Sequence, residues 1–496
     1  METKNAAGRV IEIDIAGKSL KPFTGAKKHG NLSKVISLTD ALKKCGLKDG
    51  MTVSFHHQLR NGDSAINMTL DAIRQLGVKN IRMAQTAMFN VHEPVIDFIK
   101  EGVVNRIEGS INGVVGDFIS KNPLSFPVVL RSHGGRWAAI KSGELHPDIA
   151  VITASASDNK GNCTGVLGKN AFGPIVYSQI DAMMADKVIV VTDEIVKNPC
   201  THQEITEDYV DYVAEVDKIG DPEYIVSGTT KVTEDPLKLD IAHKCIDLMD
   251  AVGIIKNGMT FQSGAGGISL AVLKYLGEAL EDRNVIASFG IGGVTKHLID
   301  IYEKGLVEKL YFGQCFDYDS ARYISENPGV PILNVGHYAD PFSPSRAVDD
   351  LDVVVLGATE VDTGFNVNVN THSDGRMLHG IGGHQDTAAG ARLSMITVPV
   401  YRKTNPIVRE RVTTLTTPGD VIDAIVTNEG IAINPKRKDL VEKVKGKLDI
   451  VSIESLKNMA YEATGGPVQP NLGKEIVGMT RWIDGTILDI IRRVKE

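Results

Sequence analysis

The chain carries one strand–helix pattern twice, and this internal repeat restricts its possible folds more than any single motif does. The apolar run Asp352-Val353-Val354-Val355-Leu356 leads into Gly357-Ala358-Thr359-Glu360-Val361-Asp362. A similar run, Asp148-Ile149-Ala150-Val151-Ile152, leads into Thr153-Ala154-Ser155-Ala156-Ser157-Asp158. Aligning the two sets Asp158 on Asp362 and Ala156 on Glu360, so only the second copy has the glutamate. The repeat recurs where Gly46-Leu47-Lys48-Asp49-Gly50-Met51-Thr52-Val53 matches Ile254-Ile255-Lys256-Asn257-Gly258-Met259-Thr260-Phe261. After each comes a helical face: Ile66, Leu70, Ile73 and Leu76 before Gly77, then Ile268, Val272, Tyr275 and Leu276 before Gly277. Each copy then enters a second strand, expected over 80–83 and 284–287. Near-continuous apolar strands such as Val188-Ile189-Val190-Val191 belong to parallel sheets covered by helices on both faces.

A length of 496 residues agrees with two such domains. The expected division is an N-terminal arm over 1–34, a first domain over 35–230 and a second over 231–496. The boundary falls where Asp221-Pro222 and Asp235-Pro236 punctuate a polar stretch. A net charge of −8 argues against nucleic acid or an anionic membrane as the main partner. No apolar stretch approaches the roughly 20 residues that span a bilayer. The five cysteines are scattered, odd in number and without a C-x-x-C pair. With a polar N-terminus, they lead to the expectation of a reducing, cytoplasmic setting.

Three groups of residues are candidates for chemistry. Glu360 lies at the C-terminal end of an expected parallel strand, where open α/β sheets place ligands, and can act there as nucleophile or base. The plain alternative is a solvated loop glutamate. Three glycine clusters, Gly264-Ala265-Gly266-Gly267, Gly290-Ile291-Gly292-Gly293 and Gly380-Ile381-Gly382-Gly383, match neither a dinucleotide fingerprint nor a Walker loop. They would offer backbone N–H groups to a ligand, or serve only as tight turns. Gly382 and Gly383 precede a helix expected over 387–394 and suit an oxyanion hole. In Ser54-Phe55-His56-His57-Gln58-Leu59-Arg60 two histidines and an arginine follow a strand end, a composition suited to a polycarboxylate. No H-E-x-x-H spacing exists, and no metal site is expected. His379 and His384 flank the third glycine cluster as surface or core residues.

The strings 357–364, 380–386 and Val426-Thr427-Asn428-Glu429-Gly430-Ile431-Ala432 resemble the carboxyl-terminal half of CoA-transferases. More narrowly, Ser54-Phe55-His56-His57, Arg136-Trp137 and 172–181 resemble the alpha chain of bacterial citrate lyase, a likeness covering nearly the full length. The resemblance implies an α/β fold of two tandem CoA-transferase-type domains, each with a mainly parallel sheet flanked by helices. It implies conversion of an acetyl-thioester acyl carrier protein plus citrate to the citryl thioester plus acetate. It implies no directly bound cofactor. The thioester is carried by a dephospho-CoA-derived group on the acyl carrier (gamma) chain, with acetyl-CoA as a substitute. A beta (lyase) chain then splits the product, within a larger complex that also contains more than one copy of this chain. Under this resemblance Glu360, Gly382 and Gly383 are the catalytic candidates, and His56, His57, Arg60, Gly264, Gly266 and Gly267 bind substrate. Whether Glu360 carries a covalent thioester or citrate attacks directly stays open. The rival within the superfamily is another CoA-transferase, or an acyl-CoA hydrolase, working on free CoA.

Overall fold

A computed structural model describes residues 33–226, 232–264 and 266–495, with the antiparallel pair Glu2–Lys4 and Val10–Glu12. Most of the expected arm over 1–34 lies outside the described residues.

The first half runs β1 (Thr52–Phe55), α1 (Ala65–Gln75), β2 (Ile81–Gln85), β3 (Val104–Ile107), β4 (Val128–Leu130), α2 (His133–Ser142), β5 (Ile149–Ala154), α3 (Gln179–Met184), β6 (Lys187–Thr192) and β7 (Tyr212–Glu215). Six of these strands form a sheet in the order β7-β6-β5-β1-β2-β3, parallel throughout. The second half repeats it with β8 (Thr260–Ser263), α4 (Gly267–Asp282), β9 (Ala287–Ile291), β10 (Val307–Leu310), α5 (Val335–Ala339) and β11 (Val353–Gly357). There follow β12 (Glu360–Asp362), β13 (Val367–Asn368), α6 (His384–Gly390), β14 (Leu393–Thr397), β15 (Val408–Arg409), β16 (Ala424–Thr427) and β17 (Gly430–Ile433). Its seven-stranded sheet has the order β10-β9-β8-β11-β14-β16-β17, parallel except for the last pair. The strand orders correspond, β1 with β8 and β5 with β11. The order therefore reverses beside β1 and beside β8, at the topological switch point where such sheets bind ligands.

The repeat reaches into local geometry. Gly50 and Gly258 both turn at positive φ, 82° and 80°, just before the first strand of each half. Asp148 and Asp352 accept the amides of Thr52 and Thr260 at 2.6 and 3.1 Å, tying neighbouring strands at their starts. Asp158 and Asp362 each collect loop amides after the strand end, from Lys160, Gly161 and Asn162 in one half and from Gly364 and Asn366 in the other.

Three expectations require correction. The second-half helix does not stop at Gly277 but runs to Asp282. A Cβ on Gly277 would meet Ile301 at 3.0 Å, so this glycine serves close helix packing rather than helix termination. The strand expected over 284–287 is β9, beginning at Ala287: Asn284 turns at φ 51°, as Asn80 does at 61°, but a short extra segment intervenes before pairing. The helix expected over 387–394 is α6, and Leu393–Thr397 is instead a buried central strand.

The chain's last hairpin, β18 (Leu472–Arg481) with β19 (Ile487–Val494), leaves the second half and pairs β18 in parallel with β4. The C-terminal residues of the second half thus complete a sheet of the first, and one apolar core runs through both halves. Among the described residues no helix is long and apolar enough to cross a membrane.

Candidate active site

β1 ends directly into His56 and His57, both buried. A single 3-10 turn then presents Arg60, whose backbone takes φ 53°. A non-glycine residue in the left-handed region costs on the order of 1 kcal/mol or more and persists where its side chain is needed. The Arg60 guanidinium sits between two aromatic faces, 5.1 Å from the Phe89 centroid in the first half and 4.5 Å from Phe316 in the second. Its Nε has no hydrogen-bond partner, and among the described residues no carboxylate pairs with it. Burial pulls its pKa down to about 10.

Around Arg60 the two halves meet in a cluster of neutral polar rings. His57 Nδ1 lies 2.5 Å from Thr86 Oγ1, and its Nε2 lies 3.2 Å from Gln314 Oε1 of the second half. The His57 ring is 4.8 Å from Tyr177 and 5.9 Å from His133, which stands at the first position of α2. Tyr177 Oη donates to Gln314 Oε1 at 3.3 Å and lies 3.3 Å from His133 Nε2. Burial holds His133 at about 4 and His57 well below the ordinary imidazole range, so both rings are neutral at pH 7. Burial also raises the Tyr177 phenol, keeping it protonated. His56 points away from this cluster, toward the bidentate Arg136–Asp181 pair, and neither of its ring nitrogens has a partner.

The second half adds Gly382, at φ 63°, whose carbonyl accepts the His133 amide at 3.0 Å. A Cβ on Gly382 would come 3.8 Å from His133 Nε2, an ordinary contact, whereas one on Gly383 would stand 2.6 Å from Tyr338 Oη of the same half, so Gly383 makes room for that phenol. Tyr338 in turn donates to Gln262 on β8 at 3.2 Å. Of the glycines after β8, Gly264 is tied to Val355 of the sheet, Gly266 caps α4 and Gly267 opens it. A Cβ on Gly266 would meet nothing within 4 Å.

Glu360 opens β12, just past the C-terminal end of β11. Its carboxylate is fully buried, not a solvated loop group. It is ion-paired with Arg409 and accepts hydrogen bonds from the Thr413 amide at 2.7 Å, Thr413 Oγ1 at 3.0 Å and Asn368 Nδ2 at 3.0 Å. All of these donors belong to the second half. The structure brings His57, Arg60 and Gly382 together, keeps His56 one layer behind them, and ties Glu360 into a network of its own domain.

Sequence reasoning missed His133, Tyr177, Gln314 and Phe316. A signal existed for His133, since Ser132 before His-Gly-Gly reads as a helix N-cap. Gln314 opens a short strand of the second half, Gln314–Cys315, and Phe316 follows it; only the fold brings them against His57 and Arg60. A separate cavity of about 470 Å³ lies between the halves beyond α2, lined by Trp137, Gln179, Glu204, Asn334, His337 and Phe342.

The family model described as citrate lyase, alpha subunit, matches residues 32–494. The citrate lyase alpha chain of Haemophilus influenzae is 40% identical over 462 residues, 93% of this chain and 92% of that one. The solved alpha subunit of citrate lyase from Streptococcus mutans, in complex with citrate, is 40% identical with a TM-score of 0.92 over 96% of each chain. A 4-hydroxybutyrate CoA-transferase from Porphyromonas gingivalis shares the fold at a TM-score of 0.55 and 18% identity, covering 86% of this chain and 97% of that one.

Proposed function

The chain belongs to the citrate lyase alpha-subunit family, and from that membership we propose that it is the subunit exchanging acetate for citrate on a carrier thioester. The observation that carries this reading is Arg60, a strained and unpaired guanidinium at the interdomain switch point, ringed by neutral imidazoles and a phenol. Such a site offers donors and one positive charge to a polycarboxylate, and among the described residues no carboxylate pairs with Arg60. The S. mutans relative in complex with citrate agrees with that chemistry.

In the proposed reaction a citrate carboxylate oxygen attacks the acetyl thioester carbonyl. The C–S bond breaks, giving a mixed anhydride and the thiolate. The thiolate then adds to the citryl carbonyl of the anhydride and acetate leaves. Arg60 and His57 hold citrate carboxylates. Tyr177 and the amides of Gly382 and Gly383 face the carbonyl oxygen as negative charge develops there. Glu360 supports this direct route, because both of its oxygens are held by donors within its own domain and neither is free to attack an acyl carbon. The covalent alternative, a thioester on Glu360, predicts a modified peptide after acetyl-CoA addition and borohydride or hydroxylamine trapping; an unmodified Glu360 in active protein excludes it.

The thioester is that of a dephospho-CoA-derived arm on an acyl carrier (gamma) chain, for which acetyl-CoA substitutes. A beta chain cleaves the citryl product, and the assembly is cytoplasmic and holds more than one copy of this chain. The test is exchange of labelled citrate into a thioester by the purified chain with acetyl-CoA or the acetylated carrier. Transfer to simple acids but not to citrate would instead make it a general CoA-transferase, and release of acetate with no new thioester a hydrolase.

A further inference from the structure

A buried carboxylate of the second half, Asp386 on α6, sits at the N-terminus of the first-half helix that carries His133. Ser132 Oγ donates to Asp386 Oδ1 at 2.7 Å, and the Gly134 amide donates to Oδ2 at 3.1 Å. The His133 amide donates to the Gly382 carbonyl at 3.0 Å, and Ser132 and Gly382 pair as a parallel bridge. The Gly135 amide ends on Ser132 Oγ at 3.0 Å. The first amides of a helix have no partner within it. Here the opposite half accepts from the His133 and Gly134 amides, so the position of α2 is fixed relative to residues 382–386. Glycine at 134 allows the approach, since a Cβ there would stand 2.2 Å from the Ala339 carbonyl oxygen and 2.8 Å from Asp386 Oδ1. The charged and titratable groups facing Asp386 are Arg346, Tyr177 and Tyr338, from three further segments. A carboxylate held in such a place is costly to bury and is retained where it fixes a unique arrangement.

We propose that Asp386 is a positioning residue for the acyl exchange: it fixes the start of α2, and through it the His133 imidazole, against Gly382 and Tyr177. It touches neither substrate in this scheme. The inference rests on the reading above that the imidazole cluster is where exchange occurs.

The test uses the full chain with Asp386→Asn and Ser132→Ala. The amide keeps one acceptor for Ser132 but turns an NH₂ toward the Gly134 amide, setting donor against donor. With a small displacement of a reacting geometry costing on the order of 100-fold, Asp386→Asn is expected to lower kcat for citrate exchange by about 10- to 100-fold. The KM for citrate stays within a factor of two. The ring nitrogen signals of His133, assigned by their loss in His133→Gln, shift, while those of His92, held against Asp63 at 3.1 Å, do not. Ser132→Ala moves both readouts in the same sense and by less, and it carries the test alone if the asparagine variant does not fold. Parental kcat in a folded variant, a loss confined to KM, or unmoved His133 signals overturns the proposal. If the parent itself transfers nothing to citrate, the functional reading fails, and the His133 signals still decide the positioning role.

Discussion

Replacing Arg60 with methionine should make the protein more stable and a poorer binder of citrate. The fall of the Arg60 pKa from 12.5 to about 10 corresponds to about 3 kcal/mol by which burial disfavours the charged form. The two ring faces return about 0.5–1 kcal/mol each. The uncompensated remainder is about 1–2 kcal/mol, which methionine recovers while filling the slot between Phe89 and Phe316 with a flexible apolar chain. The strained backbone at φ 53° is common to both residues and cancels. Against this gain stands the loss of a charge-assisted contact to a carboxylate, worth about 1.5–3 kcal/mol. At 1.4 kcal/mol per decade that is about a 10- to 150-fold rise in the KM for citrate. Thermal unfolding with and without citrate, beside exchange kinetics, reads both effects. The citrate-free midpoint of Arg60→Met should equal or exceed that of the parent, and the upward shift that citrate gives the parent should largely vanish. A lower citrate-free midpoint with a KM unchanged within twofold would refute the argument and make Arg60 a structural wedge between two rings.

Other consequences can be measured on the same preparation. Glu360→Ala leaves the Arg409 charge buried without its partner and should cost about 3–5 kcal/mol in denaturant unfolding, whereas a glutamate serving chemistry alone would leave the midpoint near that of the parent. Burial holds His56 at about 4 against 6.5, so it contributes stability that is present above pH 6.5 and lost as pH falls through 6.5 toward 4. His56→Leu should flatten that acid slope by up to about 3 kcal/mol. The raised carboxyls, Asp386 at about 6 and Glu204 at about 7, act in the opposite sense, so the difference between variant and parent is the measurement. None of the five cysteines forms a disulfide and all are buried; burial pushes Cys200 up to about 11 and also raises Cys163, Cys245 and Cys315. A thiol reagent should therefore react slowly with native protein and with five groups after denaturation.

The two-domain fold was legible because its determinants are local and occur twice. Turn glycines at Gly50 and Gly258, turn asparagines at Asn80 and Asn284 and the strand-start Asp148 and Asp352 each do the same physical work in both halves. What the sequence hid was non-local. The last hairpin is an ordinary alternating pair of strands, and nothing in its residues says that it pairs with Val128–Leu130, more than 300 positions earlier. Gly277 resembles the helix-ending Gly77, but the residue that explains it, Ile301, lies on another helix. In the site, His57 and Arg60 follow a strand end and could be read from position. Glu360 also follows a strand end, but its partners Arg409 and Thr413 return from about 50 residues away, and only the fold shows that they engage both of its oxygens.

The repeat also accounts for how the labour in the site is divided. Aligning the two copies sets His56 on Gly264. After the first strand the first half has two histidines, of which His57 lies in the cluster, where the second has Gly264 and then the N-cap Gly266 of α4. A duplicated pair with histidines and an arginine at both switch points would bring two sets of cations and rings together, with too little room and too much like charge for one ligand between them. Small residues on one side leave a gap that the other side's side chains can face. Two copies of a symmetric fold thus make one asymmetric cleft, the first half supplying charge and rings and the second supplying backbone and space.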